Sequence, residues 1–193
     1  MKTNIIHFVA TCLVYCVLGV VVTACSYDDY ADADYPESQV YQSMADGIIR
    51  IDANANAAKA EVPTPGAPIL YDIDNQKLRI HLGVVQSGIS YISGSVLLQF
   101  DANAITTRQA EGQLPAEVIV LPASAVVLPA EVGISGVSAP YIAEVSLSAI
   151  TDAAYTGKQV AFAVTIASTT IKVSEQLATQ VVVIDTDFVK SLL

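Results

Sequence analysis

Tryptophan is missing from this 193-residue chain, histidine occurs twice, and all three cysteines fall within the first 25 residues. Each shortage excludes something. Beyond Cys25 there is no thiol, so the rest of the chain can form neither an internal disulfide nor a thiolate metal site. Beyond His7 the only imidazole is His81, so any Ser-His-Asp or Cys-His arrangement would have to be built on it. His81 lies between Arg79 and Gly83 on the polar side of an alternating segment and reads as a solvated side chain. Positive charge is scarce as well: 9 Lys+Arg stand against 19 Asp+Glu, a net charge of −10. With no basic patch interleaved with aromatics, nucleic acid is not an expected partner. What the chain does have is apolar residues, 53% against 15% charged. That balance excludes a disordered chain, and the length suits one domain.

Much of the apolar content is concentrated at the start. Met1-Lys2-Thr3-Asn4 is short and singly basic, and Ile5 to Val22 is almost entirely apolar. A run of that length can span a bilayer. It also fits a secretory signal with a basic n-region and an apolar h-region. Val22-Thr23-Ala24-Cys25 separates the two readings, because it resembles a bacterial lipobox, in which small residues precede a cysteine that becomes lipidated. The alternative is an uncleaved anchor helix in which Cys25 is incidental, but no Lys or Arg cluster follows to stop transfer. The resemblance implies cleavage after Ala24 and a diacylglyceryl group on Cys25. Acyl burial is worth about 0.8 kcal/mol per methylene, and two or more chains anchor stably. Residues 1–24 are then a lipoprotein signal peptide. Its removal leaves 169 residues with 8 Lys+Arg and 19 Asp+Glu, a net charge of −11.

Residues 25–36 form an acidic tether. Ser26 to Tyr35 carries four aspartates and no positive charge, as a solvated spacer between lipid and domain would. Acidic residues directly behind the lipidated cysteine also resemble the export signal of Bacteroidetes surface lipoproteins. That resemblance assigns Asp28 and Asp29 to the signal and the protein to the outer membrane, lipid-anchored and facing outward.

Beyond the tether the pattern is strands. Leu78, Ile80, Leu82 and Val84 alternate with Lys77, Arg79 and His81. Val96, Leu98 and Phe100 alternate with Leu97, Gln99 and Asp101. Tyr141, Ala143, Val145 and Leu147 alternate with Ile142, Glu144, Ser146 and Ser148. Val160, Phe162, Val164 and Ile166 oppose Ala161, Ala163, Thr165 and Ala167. Period two marks half-buried strands. Segments 47–52, 69–73, 117–121, 125–128 and 179–185 are further candidates, and only 102–112 and 174–178 suggest helical turns. This predicts an all-β, antiparallel sandwich over residues 37–187, with 188–193 as a tail and 52–66 as an exposed loop.

"LPAEVIV LPASAVV LPAEVGI" repeats with period seven from Leu114. Pro115, Pro122 and Pro129 exclude a coiled coil, since each would cost about 3 kcal/mol inside a helix. Edge strands and their connections are expected instead. No cofactor or metal site is expected. Asp52-x-Asn54-x-Asn56 begins like a calcium loop, but Ala57 stands where a glycine is needed and Pro63 where a bidentate glutamate belongs. Asp72-x-Asp74-x-Gln76 fails in the same way. Asp101, Glu111, Glu117 and Glu131 offer carboxylates, but nothing selects a hydrolytic pair, so no catalytic residue and no enzyme is expected.

"YPESQVYQSMADGIIRID", "KLRIHLGVV", "VLLQFDANAITTRQ", "VIVLPASAVVLPAEVGIS", "GKQVAFAVTIAS" and "TQVVVID", in that order, resemble a family of Bacteroidetes surface lipoproteins. Its shared module is an immunoglobulin-like N-terminal domain of unknown function, associated with Sus-type glycan uptake loci. The resemblance covers roughly residues 35–187. It departs from the family where Ala104-Ile105-Thr106-Thr107 replaces Asn-rich turns. It implies an immunoglobulin-like sandwich and a non-catalytic surface lipoprotein, with polysaccharide and Sus-type outer-membrane proteins as partners. A structural, adhesin-like module for protein assembly is the alternative. Sugar faces stack on aromatic rings, and Tyr91 and Tyr155, beside Gly88, Gly94 and Gly157, are the candidate ligand-binding residues.

Overall fold

Alternation places the centre of the first sheet. In the computed structural model, which describes residues 37–193 apart from Asp46, Pro63, Pro65 and Ile89, β5 (Lys77–Ser87) and β10 (Ser138–Ser146) form an antiparallel ladder. It runs from Ser138 opposite Val85 to Ser146 opposite Lys77. Leu78, Ile80, Leu82 and Val84 point inward with Ala139, Tyr141, Ala143 and Val145. The signal sequence, Cys25, Asp28, Asp29 and the acidic tether lie outside the described residues.

Five shorter strands complete this sheet. β1 (Gln39–Gln42) and β4 (Ile69–Asp72) pair with opposite ends of β5, and β12 (Lys172–Val173) joins β1. β3 (Ala57–Lys59) joins β4, and β8 (Val126–Val127) closes the far edge beside β10. The loop expected over 52–66 thus contains a strand. The second sheet is ordered β2 (Ile48–Ile51), β13 (Thr179–Asp185), β11 (Gln159–Thr169), β6 (Gly94–Phe100) and β9 (Glu131–Ile134), with β7 (Ile119–Val120) also on β11. The two sheets enclose a core of aliphatic side chains around Phe162. This is the expected all-β sandwich, with one refinement. The long ladders are antiparallel, but β1–β12, β3–β4, β2–β13 and β7–β11 are parallel. Each involves a strand of two to four residues, which pairs in whichever direction its connection delivers it.

A second, smaller core lies on the outer side of the second sheet. Helix α1 (Ala102–Ala110) places Ile105 against Ala161, Ala163, Val181 and Val183, and Leu114 and Val118 extend the cover. Asp101 starts the helix by accepting the amides of Asn103 (3.0 Å) and Ala104 (3.2 Å), while Thr165 Oγ1 donates to its other carboxylate oxygen at 3.0 Å. One side chain therefore caps the helix and fixes it to β11. Gly112, at φ +72°, ends it in the left-handed region that glycine tolerates. Ala161 and Ala163 of β11, the small-residue side of that strand, are fully buried for this reason.

The seven-residue repeat has a physical basis. Leu114 inserts into the second core, Leu121 into the first, and Leu128 packs against the first. After each Leu-Pro-Ala comes one short edge strand: β7, β8 and β9 in turn. Residues 188–193 are more than a tail. Helix α2 (Leu147–Ile150) follows β10, and helix α3 (Thr186–Leu192) follows β13, capped by Asp185, with Val189 fully buried in the first core. No helix among the described residues is long and apolar enough to cross a membrane.

Candidate functional site

Between β5 and β6 lies the loop that carries Tyr91. Its geometry begins with a buried amide. Gln86 continues the inward series of β5 after Val84 and is only 2% exposed. Its carboxamide turns to the loop and grips one residue at two points: Nε2 donates to Ile92 O at 2.8 Å, and Oε1 accepts the Ile92 amide at 2.6 Å. Ser38 Oγ also donates to Ser90 O. Gly88 lies at φ +120°, and a Cβ there would come within 2.9 Å of the Ser38 backbone, so β1 and this loop approach where only glycine fits. Between these fixed points Tyr91 is 51% exposed and Ile92 48% exposed. An exposed ring and an aliphatic side chain are presented by backbone that the core holds in place.

Tyr155 is placed differently. It sits in a 3₁₀ turn (Ala153–Tyr155), half-buried against the first core. Its carbonyl accepts Thr186 Oγ1 at 2.7 Å, so its surroundings brace α3. The two tyrosines are not brought together. Gly94, at the end of the Tyr91 loop, meets Thr170 just past one end of β11, whereas Tyr155 precedes the other end. Eleven residues of strand separate these ends by roughly 30 Å.

The outer face of the first sheet carries an alternating ion network. Lys77 and Arg79 both reach Glu144, the latter at 3.1 Å, and Arg79 also reaches Asp72 at 3.1 Å. The Lys77 ammonium bonded to Glu144, with Arg79 beside it, holds that carboxyl below its usual range. Asp72 is held low chiefly by the Asn75 side-chain amide at 2.8 Å and the Asn75 backbone amide at 3.0 Å, with Arg79 adding to them. Asp52 Oδ1 accepts the Asn54 amide at 2.9 Å. Asp52 and Asp72, which lead the two calcium-like stretches, thus organise turns. His81 is exposed on this same face.

Where the chain crosses from β8 to β9 it changes sheets, and a groove of about 600 Å³ opens beside β10. Glu131 and Glu144 line it together with Val127 and Ile142, which are 59% and 42% exposed. Behind it the Tyr141 hydroxyl donates to Gln42 Oε1 at 2.8 Å, and burial pushes the phenol's pKa up. Gln42 Nε2 reaches Val164 O at 3.5 Å and so links the sheets.

Sequence reasoning missed the three buried glutamines, Gln42, Gln86 and Gln180. A signal was present, since each falls in phase with inward aliphatics: Val40 before Gln42, Val84 before Gln86, Val182 after Gln180.

A β-sandwich with an additional helix-covered face is the class this fold defines. No protein-family model matches the chain, and no curated protein matches it in sequence. Solved structures do match it in fold. One is a "putative carbohydrate binding protein" from Bacteroides ovatus, at TM-score 0.50 and 12% identity, covering 76% of this chain and 36% of its own. Another is EndoBT-3987 from Bacteroides thetaiotamicron, solved with Man5GlcNAc product, at TM-score 0.51 and 10% identity, covering 76% of this chain and 30% of its own. A multidomain protein including DUF1735 from Bacteroides ovatus aligns at TM-score 0.42 and 11% identity, over 70% of this chain and 40% of its own. The chain thus spans about a third of the length of the first two.

Proposed function

We propose that this protein is a non-catalytic, lipid-anchored component of the outer-membrane surface that binds glycan as an accessory to polysaccharide uptake. The observation that carries this reading is the Tyr91 loop. An exposed aromatic ring binds the apolar C–H face of a pyranose best when its backbone is already fixed, because less freedom is lost on binding. A buried glutamine with both polar atoms committed to one exposed loop provides that fixation. The likeness in fold to a Bacteroides protein described as a putative carbohydrate binding protein, and to one solved with a Man5GlcNAc product, supports the same reading. Catalysis is not proposed. His81 has no hydrogen-bonded carboxylate to orient it among the described residues, and the ion network engages Glu144 with two cations.

A second reading, assembly with another envelope protein, draws on the exposed Val127 and Ile142 beside the β8–β9 groove. A panel of neutral polysaccharides in affinity electrophoresis, with wild type and Tyr91→Ala compared, tests the first reading. Retardation by at least one polysaccharide that Tyr91→Ala abolishes without lowering the melting temperature is the expected outcome. If no polysaccharide retards the wild type, or the variant is retarded equally, glycan binding at this loop is wrong.

A further inference from the structure

The described residues hold eight cations, every Lys and Arg of the sequence except Lys2. Six are engaged within the fold. Lys59 pairs with Glu61, Lys172 with Glu37, and Lys77 and Arg79 belong to the ion network. Arg108 donates to Gln113 Oε1 and Ala45 O, and Lys190 to Thr156 Oγ1. Arg50 and Lys158 have no such partner among the described residues. Both are exposed, and both line one cleft of about 750 Å³.

The cleft lies at the end of the second sheet opposite to Tyr91. Arg50 on β2 stands beside Val183 of β13, so it faces the same outward side as the second core, at its margin. Lys158 directly precedes β11 and Gln159 opens it, and Pro115 and Ile119 supply apolar wall. The Gln159 carboxamide is likewise uncommitted among the described residues. Glu117 is the one carboxylate of the lining, with no cation within salt-bridge distance among the described residues.

In a protein of net charge −10, two uncommitted cations share one concave site whose lining holds a single carboxylate, Glu117. We infer that this cleft binds a saccharide bearing an isolated carboxylate, such as a uronic acid residue within a longer glycan. The inference rests on the glycan-binding reading and adds a second, charged subsite to it. The guanidinium fork of Arg50 matches a carboxylate with two parallel hydrogen bonds, and Lys158 adds a point charge. Gln159 and Glu117 then serve the neighbouring hydroxyls, the first donating or accepting and the second accepting. Glu117 also repels a second anion close by, which favours a lone carboxylate over a densely sulfated chain. Pro115 and Ile119 meet the apolar sugar face.

Calorimetry on the full-length protein in neutral detergent tests this with a xylotetraose carrying a single glucuronic acid branch, its methyl ester, the unbranched neutral xylotetraose and a sulfated galactan oligosaccharide. The free acid should bind at least tenfold tighter than the ester. Arg50→Gln and Lys158→Gln should each weaken it about tenfold without changing the melting temperature, and Tyr91→Ala should leave it unchanged. Equal binding of acid and ester, or unchanged affinity in both cation variants, would overturn the site. Tighter binding of the sulfated oligosaccharide would overturn the choice of a carboxylate. Neutral-sugar binding lost in Tyr91→Ala, with no heat from the acid, would sink this cleft alone. No heat from any sugar would sink the glycan reading with it.

Discussion

Gln86→Leu keeps the side-chain volume of a core position and removes both hydrogen bonds to Ile92. Each is a neutral amide bond with a net worth of about 1 kcal/mol, so the pair holds the loop by about 2 kcal/mol. Ile92 is half exposed, and water can satisfy its freed backbone groups once the loop lifts. The loss should therefore appear as local opening rather than as collapse of the sandwich. Two kcal/mol corresponds to roughly a thirtyfold rise in the open population. Amide hydrogen exchange reads this directly: protection at Ile92 should drop by that factor, while amides of β11 and β13 keep theirs. Glycan affinity at Tyr91 should weaken too, although the ring itself is untouched. Unchanged exchange at Ile92 would mean that the glutamine does not hold the loop. Equal loss of protection throughout would make it a core residue that happens to touch the loop.

Four further outcomes follow from other parts of the molecule. Asp101→Ala removes the α1 cap and the bond from Thr165, and urea denaturation should record a loss of about 1–3 kcal/mol; a change within error would mean that the helix is held by Ile105 alone. Glu144 has an ordinary value of 4.5 and is lowered in the fold, so its contribution is present above pH 4.5 and lost as pH falls through the lower folded value. The urea midpoint should fall below pH 4.5, and less so in Lys77→Met; parallel pH profiles for the two proteins would contradict this assignment. Cys25→Ala should accumulate as precursor and incorporate no labelled fatty acid, and Asp28→Ala with Asp29→Ala should protect the protein from protease added to whole cells. Normal lipidation of the first, or full protease resistance of the wild type, would refute the anchor and the surface address respectively.

Period-two alternation was enough to orient β5 and β10, because one face of that sheet meets water. It also placed Val96 and Leu98 of β6 and Phe162 of β11 inward, but it misread the other side of β11 and β13, where both faces are covered. Val181 to Ile184 is a continuous apolar run, and Ala161 and Ala163 look like a small-residue solvent face. Their burial depends on α1, whose own apolar contribution is largely one residue, Ile105. A helix with so weak a stripe announces itself by its Asp101 cap and Gly112 stop, and these mark its position but not what it covers. The site was partly legible: Tyr91 could be picked out from its flanking glycines, but its brace could not, since a glutamine in sequence reads as surface. Tyr155 shares the same turn chemistry but lies half-buried against the first core, its carbonyl taking the Thr186 hydroxyl at the start of α3. Arg50 and Lys158 lie 108 positions apart in sequence, and only the pairing of β2 with β13 brings them to one face.

That same pairing has a kinetic side. β2 lies parallel to β13, and β1 beside β12, so the first strands of the domain wait for the last. Contacts between residues more than a hundred positions apart are costly to close and slow to form. A ribosome must release nearly the whole domain before β13 can enter between β2 and β11, and until then the second sheet has no centre. The sequence therefore cannot lock itself into its sandwich until almost all of it has been made, a delay that would suit the export that the proposed surface address requires.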